Sequence, residues 1–367
     1  MREYYLSLIE ERRQGGVAII LRGLLRACCW VYGGIVTALR WVYRQGVLRT
    51  YDLGRPVISV GNMTWGGAGK TPITEWIVHQ LLAVGKKPVI LMRGYMSKKK
   101  GDGHFFRREK KCPSPFLSDE AQLLNQTFGG LVPVIVNRDR VQGALRVPPN
   151  YPYDVFVLDD GFQHWRVRRD LDIVAIDTTN PFGNGAVLPR GILREPLSAL
   201  KWAKVCVLTK ADIGADNIPQ IRHIIQERNP DAVIVETVHQ PQCVYDLRSG
   251  EKFGVAHIGG RPAVLVSGIG SPFGFEQTVK NVGTDVRHHM VYPDHYCYTE
   301  KDIQDIIFQV ERQGSACVLT TDKDAVKLRG LMTHVPEHIE VFVVTVKISV
   351  VKGEEDFRHA IRSVCHY

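Results

Sequence analysis

Beyond about residue 52 the chain alternates short apolar runs with longer amphipathic ones. "PVISVGN", "KPVILM", "VPVIVN", "DVFVLDD", "LDIVAID" and "KVCVLTK" are apolar, β-branched and bounded by turn residues, the pattern of strands buried on both faces. Helical spacing separates them. In "TPITEWIVHQLLAVG" the apolar positions Ile73, Trp76, Ile77, Leu81 and Val84 recur on one side. The alternation predicts an α/β fold, with residues 51–233 forming a doubly wound parallel sheet.

After Ala232 the rhythm changes. "AVIVETVHQPQCVYDL" is extended but carries Pro241, and reads as a linker. "RPAVLVSGIGSPFGFEQTVKNVG" again runs strand, glycine-rich turn, helix, and "ACVLTTDKDAVKL" and "EVFVVTV" add strands. Residues 234–352 are therefore expected to hold the linker and a second, smaller α/β domain. "EEDFRHAIRSVCHY" predicts a helix within 353–367 that packs back on the larger domain.

Residues 1–50 have a different texture. Read as a helix, Leu21, Leu24, Leu25, Cys28, Cys29 and Tyr32 share a broad face, while Arg22 and Arg26 stack on another and Arg40 and Arg44 repeat the spacing. The arginines interrupt a clean apolar span of about 20 residues, and no tidy cleavage site follows. Basic residues with Trp30, Tyr32, Trp41 and Tyr43 suit an amphipathic helix lying in a membrane surface; packing on the chain's own domain is the alternative.

Composition narrows the function classes. With 44% hydrophobic and 23% charged residues, wholesale disorder is excluded. The formal net charge of +9 suits an anionic partner, whether nucleic acid, acidic lipid or phosphorylated substrate. The eight cysteines make no Cys-x-x-Cys pair and no zinc-ligand spacing, as expected of a reduced chain.

The chemistry concentrates at "GNMTWGGAGKTP". A glycine-rich turn between strand and helix offers backbone N–H groups and a helix N-terminus to phosphate. Gly66, Gly67, Ala68 and Gly69 would cradle it, Lys70 would reach the β- and γ-phosphates, and Thr71 would bind Mg²⁺. The usual pattern wants glycine where this chain has Thr64. Downstream, "VFVLDDGFQH" ends a strand in Asp159 and Asp160, where a carboxylate can hold Mg²⁺. The fold expected is thus P-loop NTPase-like. "SDE" at 118–120 alone reads as a helix cap, and "PDHY" at 293–296 as a turn. "TKAD" at 209–212 resembles the base-reading segment of GTPases, which keeps a P-loop GTPase or a nucleotide-gated membrane-binding switch open as alternatives.

Taken together, these segments resemble the tetraacyldisaccharide 4'-kinases of lipid A biosynthesis. The resemblance runs through "VGNMTWGGAGKTP", "RGY" at 93–95, "SDE", "NRDR" at 137–140, "DDGFQHWRVRRDLDIVAID", "NGAVLPRGILREP" at 184–196, "SGIGSPFGF", "YPDHYCYTEKDI" and "TTDKDAVKL", in family order over nearly the whole chain. It implies ATP and Mg²⁺, an acylated glucosamine disaccharide 1-phosphate as acceptor, inner-membrane surface lipids rather than nucleic acid as partner, and peripheral residence on the cytoplasmic face. It further implies that Asp119 and His295 act together, Asp119 accepting the sugar proton and His295 orienting it. Glu120, Asp159 and Asp160 become Mg²⁺ candidates, Arg140 and Arg194 candidates for stabilising the transferring group, and Tyr95 with Arg93 candidates for the nucleotide pocket. Met96 stands where the family pattern leads one to expect glycine, which sets the loop 96–112 apart.

Overall fold

The computed structural model describes residues 2–9, 12–93, 104–106 and 118–365. The N-terminal helices are α1 (Arg2–Ile9) and α2 (Gly16–Arg44). The first half then runs β1 (Val57–Asn62), α3 (Lys70–Ala83), β2 (Pro88–Met92), β3 (His104–Phe106), α4 (Asp119–Thr127), β4 (Val134–Val136), α5 (Arg140–Ala144), β5 (Val155–Asp159), β6 (Leu171–Asp177), β7 (Val205–Thr209) and α6 (Ile218–Arg228). The second half comprises β8 (Val233–Asp246), β9 (Lys252–Phe253), β10 (Pro262–Ser267), α7 (Pro272–Asn281), β11 (Asp285–Val291), α8 (Glu300–Arg312), β12 (Cys317–Thr321), α9 (Asp322–Leu328) and β13 (Glu340–Lys352). The helix α10 (Glu354–Val364) closes the described chain.

One sheet runs through both halves, in the order β11-β10-β12-β13-β8-β7-β6-β1-β5-β2-β4-β3, with β9 beside β8. Pairing is parallel except for β13 with β8, β3 with β4 and β9 with β8. Strand alternation feeds two faces. Ile58, Val60, Val155 and Val157 pack under α3, α4 and α10, whereas Val57, Phe156 and Leu158 pack with Val141 of α5 on the other side. The second half repeats the arrangement, with α8 and α9 over one face and α7 over the other.

The extended segment around Pro241 is not a loop linker. It is β8, whose first residues pair with β7 and whose length pairs with β13. Pro241 is tolerated because the register shifts beside it, between Thr345 and Val346 of β13. The two halves are thereby joined by an antiparallel pair of long strands. Helix α10 returns to the first half, where Phe357 stacks on Trp76 of α3 at 4.7 Å.

Candidate active site

The phosphate loop follows a strand buried at every position. Asn62, fully buried at its end, organises the turn. Its Nδ2 donates to the carbonyls of Thr64 (2.8 Å) and Gly66 (3.4 Å), and its Oδ1 accepts from Lys70 Nζ and Arg194 Nη1, each at 3.3 Å. Gly69, at φ +75°, caps α3, and Lys70 opens it. Thr64 departs from the usual glycine without strain, because it forms an antiparallel bridge with Leu193 while Trp65 N donates to the Ile192 carbonyl at 2.6 Å. Extended backbone needs no glycine.

Asp159 ends β5 beneath Thr71, whose hydroxyl donates to Asp159 Oδ2 at 3.2 Å. Its other oxygen is buried without a hydrogen-bond partner. Burial pushes the carboxyl up to about 6, against the pull of Lys70. Asp160 behaves oppositely. Burial works against its ionisation, but Lys70 at 3.7 Å and Arg194 at 2.7 Å override this and hold the carboxyl well below the usual range. Arg140 lies behind the pair and is buried. Its Nη2 donates to the backbone carbonyls of Asp159 and Asp160, at 3.2 Å each, fixing the turn from below.

The "SDE" and "PDHY" segments come from opposite halves and meet. Ser118 caps α4, placing Asp119 and Glu120 in its first turn. His295 holds a left-handed φ of 62°, unusual for a residue other than glycine, and its Nδ1 faces Asp119 Oδ2 at 3.2 Å. Asp119 also takes Lys327 Nζ at 2.7 Å; Lys323 Nζ lies 3.0 Å from Glu120 and 2.9 Å from Asp294. Burial would raise the Asp119 carboxyl, but hydrogen bonds from His295 and Lys327 bring it below its ordinary value. His295 is raised, chiefly by the bond to Asp119, against the effect of its own burial.

A second contact closes the cleft. A Cβ added to Gly270 would lie 2.5 Å from Gly67 N and 2.7 Å from its Cα, so the phosphate loop and the "SGIG" turn touch backbone to backbone. Gly270→Ala should force them apart and lower turnover about 10²-fold, the usual cost of a 1 Å misplacement, with nucleotide binding largely kept. Equal turnover in a steady-state assay would count against the contact.

Some expected residues lie elsewhere. Tyr95 and the lysine-rich segment after it fall outside the described residues; Arg93 is exposed. Lys210 of "TKAD" is buried and ion-paired with Asp177, and its stem lies against Gly274 of α7. It is turned into the protein, while Thr209 of the same segment donates to the Ala68 carbonyl at 3.3 Å and supports the phosphate loop. Asn62, Lys323 and Lys327 belong to the site although their residue types alone did not mark them. The position of Asn62, at a strand end opening a glycine-rich loop, was the available signal.

A family model described as Tetraacyldisaccharide-1-P 4'-kinase matches residues 21–366. The chain belongs to this family. Among its relatives is a tetraacyldisaccharide 4'-kinase of Pelobacter propionicus, 36% identical, with 92% of this chain and 91% of the other covered. Another, of Elusimicrobium minutum, is 34% identical over 87% of this chain and 84% of the other. Among solved structures, the Aquifex aeolicus protein LpxK, in complex with ATP, superposes with a TM-score of 0.72 at 28% identity, covering 94% of this chain and all of that one. The tetraacyldisaccharide 4'-kinases are lipid A pathway enzymes, and this chain is a kinase of that family.

The N-terminal helices give the kinase its second surface. Helix α2 is long and apolar enough to cross a membrane by length and composition. It nevertheless lies along the body. Ala18, Cys29 and Arg40 are buried on its inner side, and Tyr32 donates to the Arg194 carbonyl at 3.1 Å. Helix α1 packs against α2, and its Tyr5 hydroxyl donates to the Pro189 carbonyl at 2.6 Å. The outer side of α2 exposes Val17, Ile20, Leu24, Val31, Ile35 and Trp41.

Proposed function

We propose that the chain transfers the γ-phosphoryl group of ATP to the 4'-hydroxyl of a tetraacylated glucosamine disaccharide 1-phosphate, working peripherally at the cytoplasmic face of the inner membrane. The observation that carries this reading is the meeting of the Asp119–His295 pair, one partner from each half, over a phosphate loop equipped with Lys70, Thr71 and Asp159.

The backbone of Gly66, Gly67, Ala68 and Gly69 and the start of α3 would hold the phosphate oxygens, with Lys70 against the β- and γ-phosphates. Asp159 offers one buried, unpartnered oxygen and one touched only by Thr71, a donor set suited to a hard divalent cation. Thr71 and Asp159 would hold Mg²⁺, which would neutralise charge developing on the phosphates. Asp160 and Glu120, the other acidic candidates, are taken up by Arg194 and Lys323. Arg194 lies at the mouth of the loop and suits the transferring group; Arg140 positions the acidic turn.

The directions of the two pKa shifts favour an exchange of roles within the dyad. A carboxylate held below its ordinary value by Lys327 and His295 is a weak base, whereas a histidine raised by that carboxylate is the stronger base of the two. On this reading His295 is the proton acceptor and Asp119 orients it. The Nδ1 of His295 faces Asp119 at 3.2 Å, and its Nε2 lies 3.4 Å from both Lys323 Nζ and Glu120 Oε1, contacts that an incoming sugar hydroxyl would have to displace.

The test is transfer of labelled γ-phosphate from ATP to purified tetraacyldisaccharide 1-phosphate in detergent micelles. Label on the lipid supports the reading. No label, with nucleotide binding intact and a control lipid kinase active, overturns it.

The exposed apolar side of α2 is read as the membrane contact, with Ala18, Cys29 and Arg40 turned toward the body, an arrangement that suits a helix lying in the surface. Val31→Glu with Ile35→Glu should weaken binding to anionic phospholipid vesicles at least about tenfold in a flotation assay. Unchanged flotation would remove α2 as the contact.

A further inference from the structure

Arg40 is a buried cation on the membrane-facing helix, far in sequence from the phosphate chemistry. It is 7% exposed and ion-paired with Glu195, which is 1% exposed. Phe162, Trp165 and Trp202 surround its guanidinium, the nearest ring centroid 4.7 Å away. A buried ion pair is a poor source of net stability, because desolvating both charges offsets their attraction. An apolar residue would dock α2 at least as firmly. What the pair supplies is a fixed register.

That register leads to the phosphate site. Glu195 Oε1 accepts from Gln163 Nε2 at 2.9 Å, and the same Nε2 donates to the Asn62 carbonyl at 3.0 Å. Arg194, next in the chain, bonds Asn62 Oδ1 and Asp160 through its guanidinium. Its backbone N–H donates to Met63 at 2.6 Å, and its carbonyl accepts from Tyr32 of α2. Residues 194–195 thus form a bracket, gripped by α2 at Tyr32 and Arg40 and gripping the phosphate loop at Asn62 and Met63 and the acidic turn at Asp160.

We propose that Arg40 is a positioning residue for phosphoryl transfer, acting through Glu195 to hold Arg194 and Gln163 against the phosphate loop, so that the membrane helix is a working part of the active site as well as an anchor. The inference rests on the kinase reading given above. On this view, unseating α2 slackens Arg194 at the site where charge develops, while the outer, lipid-binding side is untouched.

The experiment compares Arg40→Met, Arg40→Lys and the double variant Arg40→Met/Glu195→Gln with wild type. Thermal stability, vesicle flotation, affinity for a fluorescent ATP analogue, and the kcat and KM of lipid phosphorylation are read for each. Arg40→Met should lose at least tenfold in kcat and several-fold in nucleotide affinity, with flotation and lipid KM within twofold of wild type. Arg40→Lys should fall between. The double variant, relieved of the unpaired buried carboxylate, should regain thermal stability without regaining kcat. Recovery of kcat in step with stability would show a merely structural role and overturn the proposal, as would an Arg40→Met enzyme with wild-type kcat. If wild type fails to phosphorylate the lipid, the kinase reading fails by itself. The nucleotide affinities then decide the inference: a loss in Arg40→Met that persists in the restabilised double variant sustains it, and unchanged affinity overturns it.

Discussion

Lys70→Met should lower phosphoryl transfer on the order of 10³-fold, the scale seen when one preorganised cation or donor is removed from a transition state. Lys70 is held in place by the loop and the acidic turn beside it. Its ammonium lies 3.3 Å from Asn62 Oδ1 and 3.7 Å from Asp160, at the first turn of α3. It is also the leading cation opposing the burial penalty of both Asp159 and Asp160. Without it, two adjacent carboxylates face the triphosphate, Asp160 still paired with Arg194, so nucleotide affinity falls as well as turnover. Lys70→Arg should rescue little, because the guanidinium fork is longer and planar where the site offers a single point of approach between Asn62 and the loop. Single-turnover transfer, with nucleotide titration alongside, measures both effects. A Lys70→Met enzyme within tenfold of wild type would remove Lys70 from the transition state.

The chain announces its sheet and its phosphate loop because both depend on local pattern. β-Branched runs such as "PVISVGN" and "DVFVLDD" can be buried on two faces only as central strands, and the turn that follows the first contains the glycines that phosphate approach requires. Long-range features are less legible. Pro241 argued against a strand, and only its pairing with β13 shows the bulge that accommodates it. Lys323 and Lys327, four residues apart on a short helix, carry no site signal of their own in the sequence. They become site residues because α9 docks on α4, two hundred residues earlier in the chain. Arg40 reads as one of several arginines on an amphipathic helix until Glu195 is found beneath it. The dyad itself was legible only through the family resemblance, and Lys327, which holds Asp119 below its ordinary value, is invisible at the level of "SDE" and "PDHY".

His295→Ala should reduce kcat by 10²- to 10⁴-fold, the range for loss of a positioned general base, and leave ATP affinity near wild type because the phosphate loop is untouched. Asp119→Asn is the more diagnostic change. In wild type the hydrogen bond to Asp119 is the largest influence raising His295, above the effects of burial and of Lys323 that lower it. A histidine base works only when neutral, so with His295 as the base turnover would rise with pH through its titration, and the acid limb would lie above the ordinary histidine value. Replacing the carboxylate by an amide removes the largest raising contribution, so the limb should move to lower pH. The plateau should fall at the same time, since the amide can hold Nδ1 in the wrong tautomer and no longer stabilises the imidazolium formed as the hydroxyl proton arrives. If Asp119 were itself the base, the acid limb would report a carboxyl held below its ordinary value. The wild-type limb would then lie in the acidic range and vanish in Asp119→Asn instead of shifting. The pH profile of kcat for wild type and Asp119→Asn, taken under saturating ATP and lipid in the same micelles, separates the two mechanisms. A wild-type limb in the carboxylate range would return the role of base to Asp119.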